Sequence, residues 1–239
     1  TDMILIDAEG LRASRPGRPL FNDVSVTVST GDRLGVVGLN GCGKSTLLRI
    51  LSGESEPEAG VVRRGRNARI GVLPQIPQLP AGSVRDACGG TWQGDAMLDK
   101  LGMGAMGDAD TKELSGGQQK RVALAQLLAG EWDCLILDEP TVGLDPNQIV
   151  EVRELIRTLG RERTVILSTH IMQEVSAICD RALILRGGHL VLDERLDALR
   201  RADRLQVRTS EDADLTALLT PIVKAFFTDN GSLIAIVSR

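Results

Sequence analysis

The sequence contains no tyrosine and only three phenylalanines among its 239 residues. Because proteins commonly hold single-stranded nucleic acid by stacking its bases on aromatic side chains, such stacking cannot be a dominant activity of this chain. An excess of charge is also lacking: the formal net charge is -4, so the chain has no global attraction for nucleic acid or for anionic membranes. DNA is therefore not an expected partner.

Paired cysteines and long apolar runs are absent as well. Cys42, Cys88, Cys134 and Cys179 lie far apart without a C-x-x-C pair, so their spacing indicates neither a metal clip nor a disulfide framework. No apolar run reaches the roughly 20 residues of a membrane-spanning helix, and residues 1–10 lack the basic region and long apolar core of a signal peptide. We expect a cytoplasmic protein that reaches a membrane only peripherally, at its inner face.

Short apolar segments alternate with helical patterns along most of the chain. Residues 34–37, 135–137 and 165–167 are continuously apolar, as in parallel strands that helices cover on both faces. Residues 24–28 instead alternate valine with polar residues, which predicts an antiparallel entry layer with one wet face. The predicted fold is α/β, with a mostly parallel central sheet and an antiparallel β entry layer.

Two segments depart from this alternation. Residues 81–118 begin with a glycine-rich stretch of little periodicity, which predicts a short helical insert. From residue 205 the pattern becomes strand, helix and two strands, and the Asn-Gly pair at 230–231 is a strong hairpin signal. We therefore expect one large domain at 1–204 and a small C-terminal β-α-β-β appendage at 205–239.

The segment GLNGCGKS at residues 38–45, called the P-loop below, fits the pattern G-x-x-x-x-G-K-[ST] between an apolar strand and a helical pattern. Its glycines allow backbone N–H groups to face inward, and a helix start adds partial positive charge, so the loop suits a polyphosphate such as that of ATP. A turn that only joins strand to helix is the weaker alternative in this context. The predicted nucleotide-binding residues here are Gly38, Asn40, Gly41, Cys42, Gly43, Lys44, Ser45 and Thr46.

Within this loop, Lys44 would reach the β and γ phosphates and Ser45 would bind Mg²⁺. A second apolar run, CLILDEP at residues 134–140, ends in two carboxylates. Phosphoryl transfer needs one group that holds Mg²⁺ and another that orients the attacking water. We assign the first role to Asp138 and the second, as general base, to Glu139; two solvated charges that merely end a strand are the alternative.

Gln75 and His170 follow two further strand patterns, IGVLP and VILST. His170 would lie at a sheet end comparable to that of Asp138, where ligands of parallel sheets bind. It would hydrogen-bond the γ phosphate or the water, and the amide of Gln75 would touch Mg²⁺ or the water. Taken alone, His170 is typical of an ordinary surface or core residue, and Gln75 is typical of an ordinary loop residue.

Two further motifs are LSGGQ at residues 114–118 and VGLD at residues 142–145. Together with the motifs above, and in the same order along the chain, they resemble the ABC family of ATPase cassettes over about residues 1–200. The resemblance implies a P-loop NTPase core that hydrolyses ATP with Mg²⁺. Asp145 would belong to a loop that crosses between two nucleotide sites. The residues that would bind the γ phosphate of a nucleotide held by a second cassette, most simply a second copy of this chain, are Ser115, Gly116, Gly117 and Gln118.

The sequence also departs from that family. Where family members usually place an aromatic residue on the adenine, this chain has Arg15, whose guanidinium can stack on a base. Residues 1–138 resemble ABC-F proteins, which are soluble tandem cassettes that act on ribosomes. The remainder resembles exporter ATPases of the gliding-motility and drug-export type, so we hypothesise a chimera joined near Asp138.

The leading interpretation is an ATP-binding and ATP-hydrolysing subunit of an ABC transporter, which acts as a nucleotide-sandwich dimer and drives a membrane permease. One alternative is an ABC-F-like, ribosome-associated ATPase. In that case the basic residues Arg63, Arg64, Arg66 and Arg69 would contact RNA, although a solvated face is the more ordinary interpretation of them. Another alternative is a chimeric cassette without a native partner.

Overall fold

The computed structural model describes residues 3–201, 205–208, 223–229 and 232–237. Its strands are β1 (Ile4–Arg15), β2 (Arg18–Ser29), β3 (Arg33–Val37), β4 (Ala59–Arg64), β5 (Ile70–Leu73), β6 (Cys134–Asp138), β7 (Thr164–Thr169), β8 (Arg181–Arg186), β9 (His189–Arg195), β10 (Leu205–Arg208), β11 (Val223–Asp229) and β12 (Ser232–Val237). Its α-helices are α1 (Lys44–Ser52), α2 (Val84–Ala87), α3 (Trp92–Lys100), α4 (Gly116–Leu128), α5 (Pro146–Leu159), α6 (Met172–Ile178) and α7 (Leu196–Arg201).

The central sheet has six strands in the spatial order β5-β6-β7-β3-β8-β9. All neighbouring pairs run parallel except β8 and β9, which are antiparallel at one edge. Both faces of the sheet are covered: Leu135 and Leu137 of β6 face one hydrophobic core, and Cys134 and Ile136 face the other. This double burial explains the continuous apolar runs and confirms the predicted, mostly parallel sheet.

The predicted antiparallel entry layer is present as a three-stranded sheet in the order β2-β1-β4. Val24, Val26 and Val28 of β2 are buried and Ser25 is exposed, as their alternation predicted. Helix α1 lies between this layer and the central sheet, because it contacts β1 on one side and β6 and β7 on the other. The helix that follows the P-loop is therefore held by both sheets.

Helices α4, α5 and α6 cover the opposite face of the central sheet. The helical insert packs into the same core through the buried side chains of Leu98, Leu101 and Met103. It comprises α2, α3 and the single 3-10 turns Gly104–Met106 and Thr111–Glu113, which confirms the prediction of a short helical segment. In the described part of the chain, no helix has the length and apolar character needed to cross a membrane.

The C-terminal strands form a separate three-stranded antiparallel sheet in the order β10-β12-β11. Asp229 pairs with Ser232, which is the register expected of a hairpin with two residues between the strands. The predicted helix at 212–219 and the Asn-Gly pair itself lie outside the described residues. The boundary between 204 and 205 stays a prediction.

We predict unequal costs for two glycine substitutions in the entry layer and its exit turn. Both Gly31 and Gly60 have positive φ, +85° and +90°, so alanine should cost about 1–2 kcal/mol at either position. A Cβ on Gly60 would also lie 2.5 Å from the carbonyl oxygens of Glu9 and Gly10, whereas one on Gly31 would meet nothing within 4 Å.

Gly60→Ala should therefore destabilise the chain by at least about 1 kcal/mol more than Gly31→Ala, since overpacking adds to the conformational cost. Urea unfolding of the two variants and the unchanged chain measures this difference. Equal unfolding midpoints would contradict the close approach of β4 to β1.

Candidate functional site

The P-loop joins β3 to α1 in a conformation that requires glycine. Gly41 and Gly43 have φ values of +79° and +106°, which side-chain-bearing residues rarely adopt. A Cβ on Gly43 would lie 2.9 Å from Cδ1 of Phe21 in β2, so the loop is also packed tightly against the entry layer. The glycine conformations and this packing thus fix the shape of the loop, which leads directly into the N-terminus of α1.

Lys44 is buried at the start of α1. Its Nζ donates to the carbonyl oxygens of Gly38 at 2.9 Å and Leu39 at 3.3 Å, and it lies 3.5 Å from Oε1 of Glu139. A charge that is out of water needs such partners. The ammonium therefore occupies the interior of the P-loop, where an anion would meet it.

Cys42 has no feature of a reactive thiol. Burial raises its pKa, although the positive charge of Lys44 acts in the opposite direction. Its sulfur packs against the backbone of Gly38, where an added Cβ would lie 2.5 Å away. Cys42 is accordingly a small loop residue.

A cleft of about 150 Å³ lies over the P-loop. The side chains of Arg15, at the end of β1, and Gln75, which follows β5, reach this cleft from two other parts of the chain. Glu139 closes it from the end of β6. The lining residues are Arg15, Asn40, Gly41, Gly43, Lys44, Ser45, Thr46, Gln75 and Glu139, all of which the sequence had singled out.

The ends of β6 and β7 are joined by one buried hydroxyl. Ser168 Oγ donates to Oδ1 of Asp138 at 2.5 Å and accepts the backbone N–H of Glu139 at 3.0 Å. Glu139 has a φ of +48°, which is strained for a residue with a side chain. The hydroxyl thus holds both the Asp138 carboxylate and the strained backbone of Glu139 at the end of β6.

Sequence reasoning missed Ser168, which lies inside the strand pattern VILST and was given no role of its own. The available signal was that a hydroxyl in a strand buried on both faces must find hydrogen-bond partners. The partners in reach are the polar groups at the end of the neighbouring strand, which are those of Asp138 and Glu139.

The Glu139 carboxylate is the meeting point of the other predicted side chains. Nε2 of Gln75 donates to its Oε2 at 3.1 Å. Nδ1 of His170 lies 3.7 Å from its Oε1, too long for a hydrogen bond but close enough for attraction when the imidazole is charged. His170 is half exposed and does not line the cleft, so it approaches Glu139 from the solvent side.

A third buried carboxylate, that of Glu174 in α6, was not predicted. It is 1% exposed and accepts hydrogen bonds from the hydroxyls of Thr141 at 2.6 Å and Thr169 at 2.7 Å. Arg153 of α5 supplies its counter-charge at 3.1 Å. Glu174 therefore ties the loop after Glu139 to the segment that carries His170. No pattern in the sequence distinguishes this glutamate from those of a solvated helix face.

The segment at residues 115–118 lies at the start of α4. Ser115 and Gln118 form a reciprocal capping box, in which Gln118 Oε1 accepts the N–H of Ser115 at 2.8 Å. A Cβ on Gly117 would lie 2.8 Å from the carbonyl oxygen of Gly143, so the helix start packs against the loop at 141–144. Neither this segment nor Asp145 lines the cleft of its own chain.

Asp145 caps α5 in the same manner. Its Oδ1 accepts the N–H groups of Asn147 and Gln148, both at 3.0 Å. This contact has a structural role in the single chain that the sequence reasoning did not foresee. The two capped helix starts, at Ser115 and Asp145, are brought together through the contact of Gly117 with Gly143.

Three of the four arginines considered for RNA binding have partners within the chain. Arg63 lies 3.3 Å from Asp7 and 3.4 Å from Glu9, and Arg69 pairs with Glu131 and Asp133. Arg64 donates to the carbonyl oxygens of Ile50 and Leu51, at the C-terminus of α1. These residues stabilise the fold, and nothing in their arrangement supports a ribosome contact.

Comparison with known proteins agrees with the fold and the site. The family described as "ABC transporter" matches residues 21–142. The Nod factor export ATP-binding protein I of Rhizobium meliloti is 33% identical over 246 residues, which cover 91% of this chain and 73% of that protein. One natural protein thus aligns across both sides of Asp138, and the hypothesis of a chimera gains no support.

Two solved structures are also similar over most of the chain. The structure of an ABC transporter assigned to the metal-chelate type, in an inward-facing conformation, has a TM-score of 0.73 and 27% identity, and covers 98% of this chain and 96% of that one. CbiO1 of Clostridium perfringens, part of the transporter complex CbiONQ, has a TM-score of 0.66 and 28% identity, with 80% and 88% covered. The chain therefore belongs to the ABC transporter family, as one of its ATP-binding and ATP-hydrolysing cassettes.

Proposed function

We propose that this chain is the Mg²⁺-dependent ATPase subunit of an ABC transporter, which works as a pair of cassettes that enclose ATP between them and drive a membrane permease. The observation that carries the proposal is that the predicted nucleotide-binding motifs of one chain do not all meet at one cleft. Lys44, Gln75 and Glu139 meet at the P-loop cleft, and His170 approaches Glu139. The start of α4 at residues 115–118 does not line that cleft.

In the proposed complex the P-loop holds the ATP phosphates with its backbone N–H groups and with Lys44. The ammonium of Lys44 already lies among carbonyl oxygens and beside Glu139, so it can exchange these partners for phosphate oxygens without leaving the loop. The helix start behind it adds favourable partial charge. Asn40, Gly41, Cys42, Gly43 and Thr46 contribute mainly through the backbone.

The residues at the cleft and beside it fit a magnesium ion: Ser45 and Gln75 line the cleft, whereas Asp138 does not line it but directly precedes Glu139, which does. The donors are oxygen atoms: the hydroxyl of Ser45, the carboxylate of Asp138 and the amide oxygen of Gln75, and Mg²⁺ prefers a few such ligands together with substrate phosphates. The described residues contain no group of three or more His, Cys, Asp or Glu side chains that could hold a metal ion. When bound, Mg²⁺ would neutralise charge on the transferred phosphoryl group.

Glu139 is the proposed general base. It is buried at the cleft, and Gln75 and Lys44 hold its carboxylate from two sides. From this position it can orient a water molecule and accept its proton as the γ phosphate is attacked. His170, on the solvent side, would contact the γ phosphate or that water once ATP is present.

In the proposed dimer, the second cassette supplies its residues 115–118, which do not line the cleft of their own chain. Residues 115–118 present the N-terminus of a 13-residue helix, whose first N–H groups lack partners within the helix. Such a helix start is suited to the γ phosphate of a nucleotide on another chain. Asp145 lies on the loop in contact with it and would cross between the two sites. A homodimer is the simplest assembly.

Arg15 is the proposed contact to the nucleotide base. It stands at the edge of the cleft, and its guanidinium has no hydrogen-bond or ion-pair partner among the residues that the structure describes. A planar guanidinium can stack on a base as an aromatic ring does. None of the residues that line the cleft is aromatic.

A membrane permease is the proposed partner, and the inner face of a membrane is the proposed location. The support comes from relatives that are named as export or transport components, such as the Nod factor export protein.

Glu139→Gln should retain ATP binding and lose hydrolysis by roughly 100-fold or more, because the amide cannot accept the proton of the water. It should also accumulate as an ATP-bound dimer. Phosphate release and the oligomeric state with and without ATP measure the two effects. Glu162→Gln, at an exposed position after α5, is the matched control and should behave as the unchanged chain. Undiminished turnover in the Glu139 variant would refute the assignment of the base.

Lys44→Ala should weaken ATP binding itself by roughly 10-fold to 100-fold, since a charge-assisted contact to phosphate is lost. Equilibrium binding of a fluorescent ATP analogue to the monomeric protein reports this without any contribution from hydrolysis. Lys100→Ala removes an exposed lysine at the end of α3 and should leave the affinity unchanged. An unaltered affinity in the Lys44 variant would count against the phosphate role of the loop.

A further inference from the structure

One buried lysine is not used by the function described so far. Lys120 is the fifth residue of α4, and its side chain is 4% exposed. Its Nζ donates to the carbonyl oxygen of Gln75 at 2.5 Å, with longer contacts to those of Pro74 at 3.4 Å and Asp138 at 3.5 Å. The ammonium thus binds the backbone of the two segments that carry Gln75 and Asp138.

This arrangement is costly for a lysine that only fills space. Removing an ammonium from water is unfavourable unless strong partners replace the water. Lys120 makes no salt bridge with any residue between 3 and 199, and burial lowers its pKa, although the charges of Asp138 and Glu139 act in the opposite direction. A neutral side chain of similar length would fill the same volume without this cost.

The position of Lys120 along α4 connects two parts of the proposed machinery. The same helix begins at residues 115–118, which would meet the nucleotide of the second cassette. Its Lys120 side chain is attached to the segments after β5 and β6, which contact the nucleotide of the chain's own cleft. A helix is stiff over these few residues, so a displacement of the Gln75 backbone must move the helix start or break the lysine contact.

We infer that Lys120 is a positioning residue that couples the chain's own nucleotide cleft to the helix start at residues 115–118. The inference rests on the proposed function, because that function gives the two regions different nucleotides. Lys120 does not line the cleft. It acts through the backbone of Gln75 and Asp138, and it makes the geometry of the helix start depend on what those residues hold.

Hydrogen exchange of the monomeric protein, with and without ADP, tests the coupling directly. In the unchanged chain, ADP should slow exchange in peptides that cover residues 38–46 and also in peptides that cover residues 113–119. In Lys120→Met the first effect should remain and the second should disappear. In Lys120→Arg, which keeps a charged donor, the second effect should return at least in part. Lys100→Met is the exposed control and should match the unchanged chain.

Turnover adds a second measure. Lys120→Met should lower kcat by about tenfold with KM changed less than twofold, since misplacement of Gln75 affects the reacting geometry more than ATP binding. If the methionine variant does not fold, Lys120→Gln, which retains an N–H donor without the charge, is compared in the same way and should show a partial loss of the effect at 113–119.

The outcomes separate the inference from the function on which it rests. Equal responses at 113–119 in the unchanged chain and the methionine variant would overturn the coupling role and leave the ATPase site intact. No response there in the unchanged chain would overturn it as well. Absence of any ADP effect at 38–46 would contradict the nucleotide site itself, and the coupling with it.

Discussion

The site depends on the hydroxyl of Ser168, which joins the ends of two parallel strands. It holds one carboxylate oxygen of Asp138 and the backbone N–H of Glu139, and so stabilises a left-handed residue at the point where β6 ends. Without that bond, a buried N–H and a buried carboxylate would both lack a partner, at a cost of about 1–3 kcal/mol for each group. The turn thus positions both the proposed metal-binding carboxylate of Asp138 and the proposed base, Glu139.

Several buried charges surround that turn, and each of them joins two segments. Lys44 joins the P-loop to Glu139, Lys120 joins α4 to the segments after β5 and β6, and Glu174 joins the loop at 141 to Thr169. An isolated buried charge destabilises a fold, whereas a charge with several partners resists any change in their relative positions. The loops around the cleft are therefore held by charges rather than by apolar packing alone.

Much of the fold was predictable, since strands buried on both faces have continuous apolar sequences and Val24, Val26 and Val28 alternate. The cleft residues were predictable where chemistry constrains a contiguous motif, as at Lys44 and Asp138. Ser168, Lys120 and Glu174 were not, because each has at least one partner that lies 30 or more residues away in the sequence. The capping of α5 by Asp145 was not foreseen either, because it depends on the conformation of the loop before the helix.

The close packing of Gly43 on Phe21 has a consequence for how the chain can be divided. The concave face of the P-loop is built on the central sheet, but its back rests on an aromatic ring of β2. A fragment trimmed to the parallel strands and their helices would keep every residue of the phosphate motif and lose the surface that supports it. The smallest unit of this protein that could still recognise a nucleotide therefore includes its first two strands.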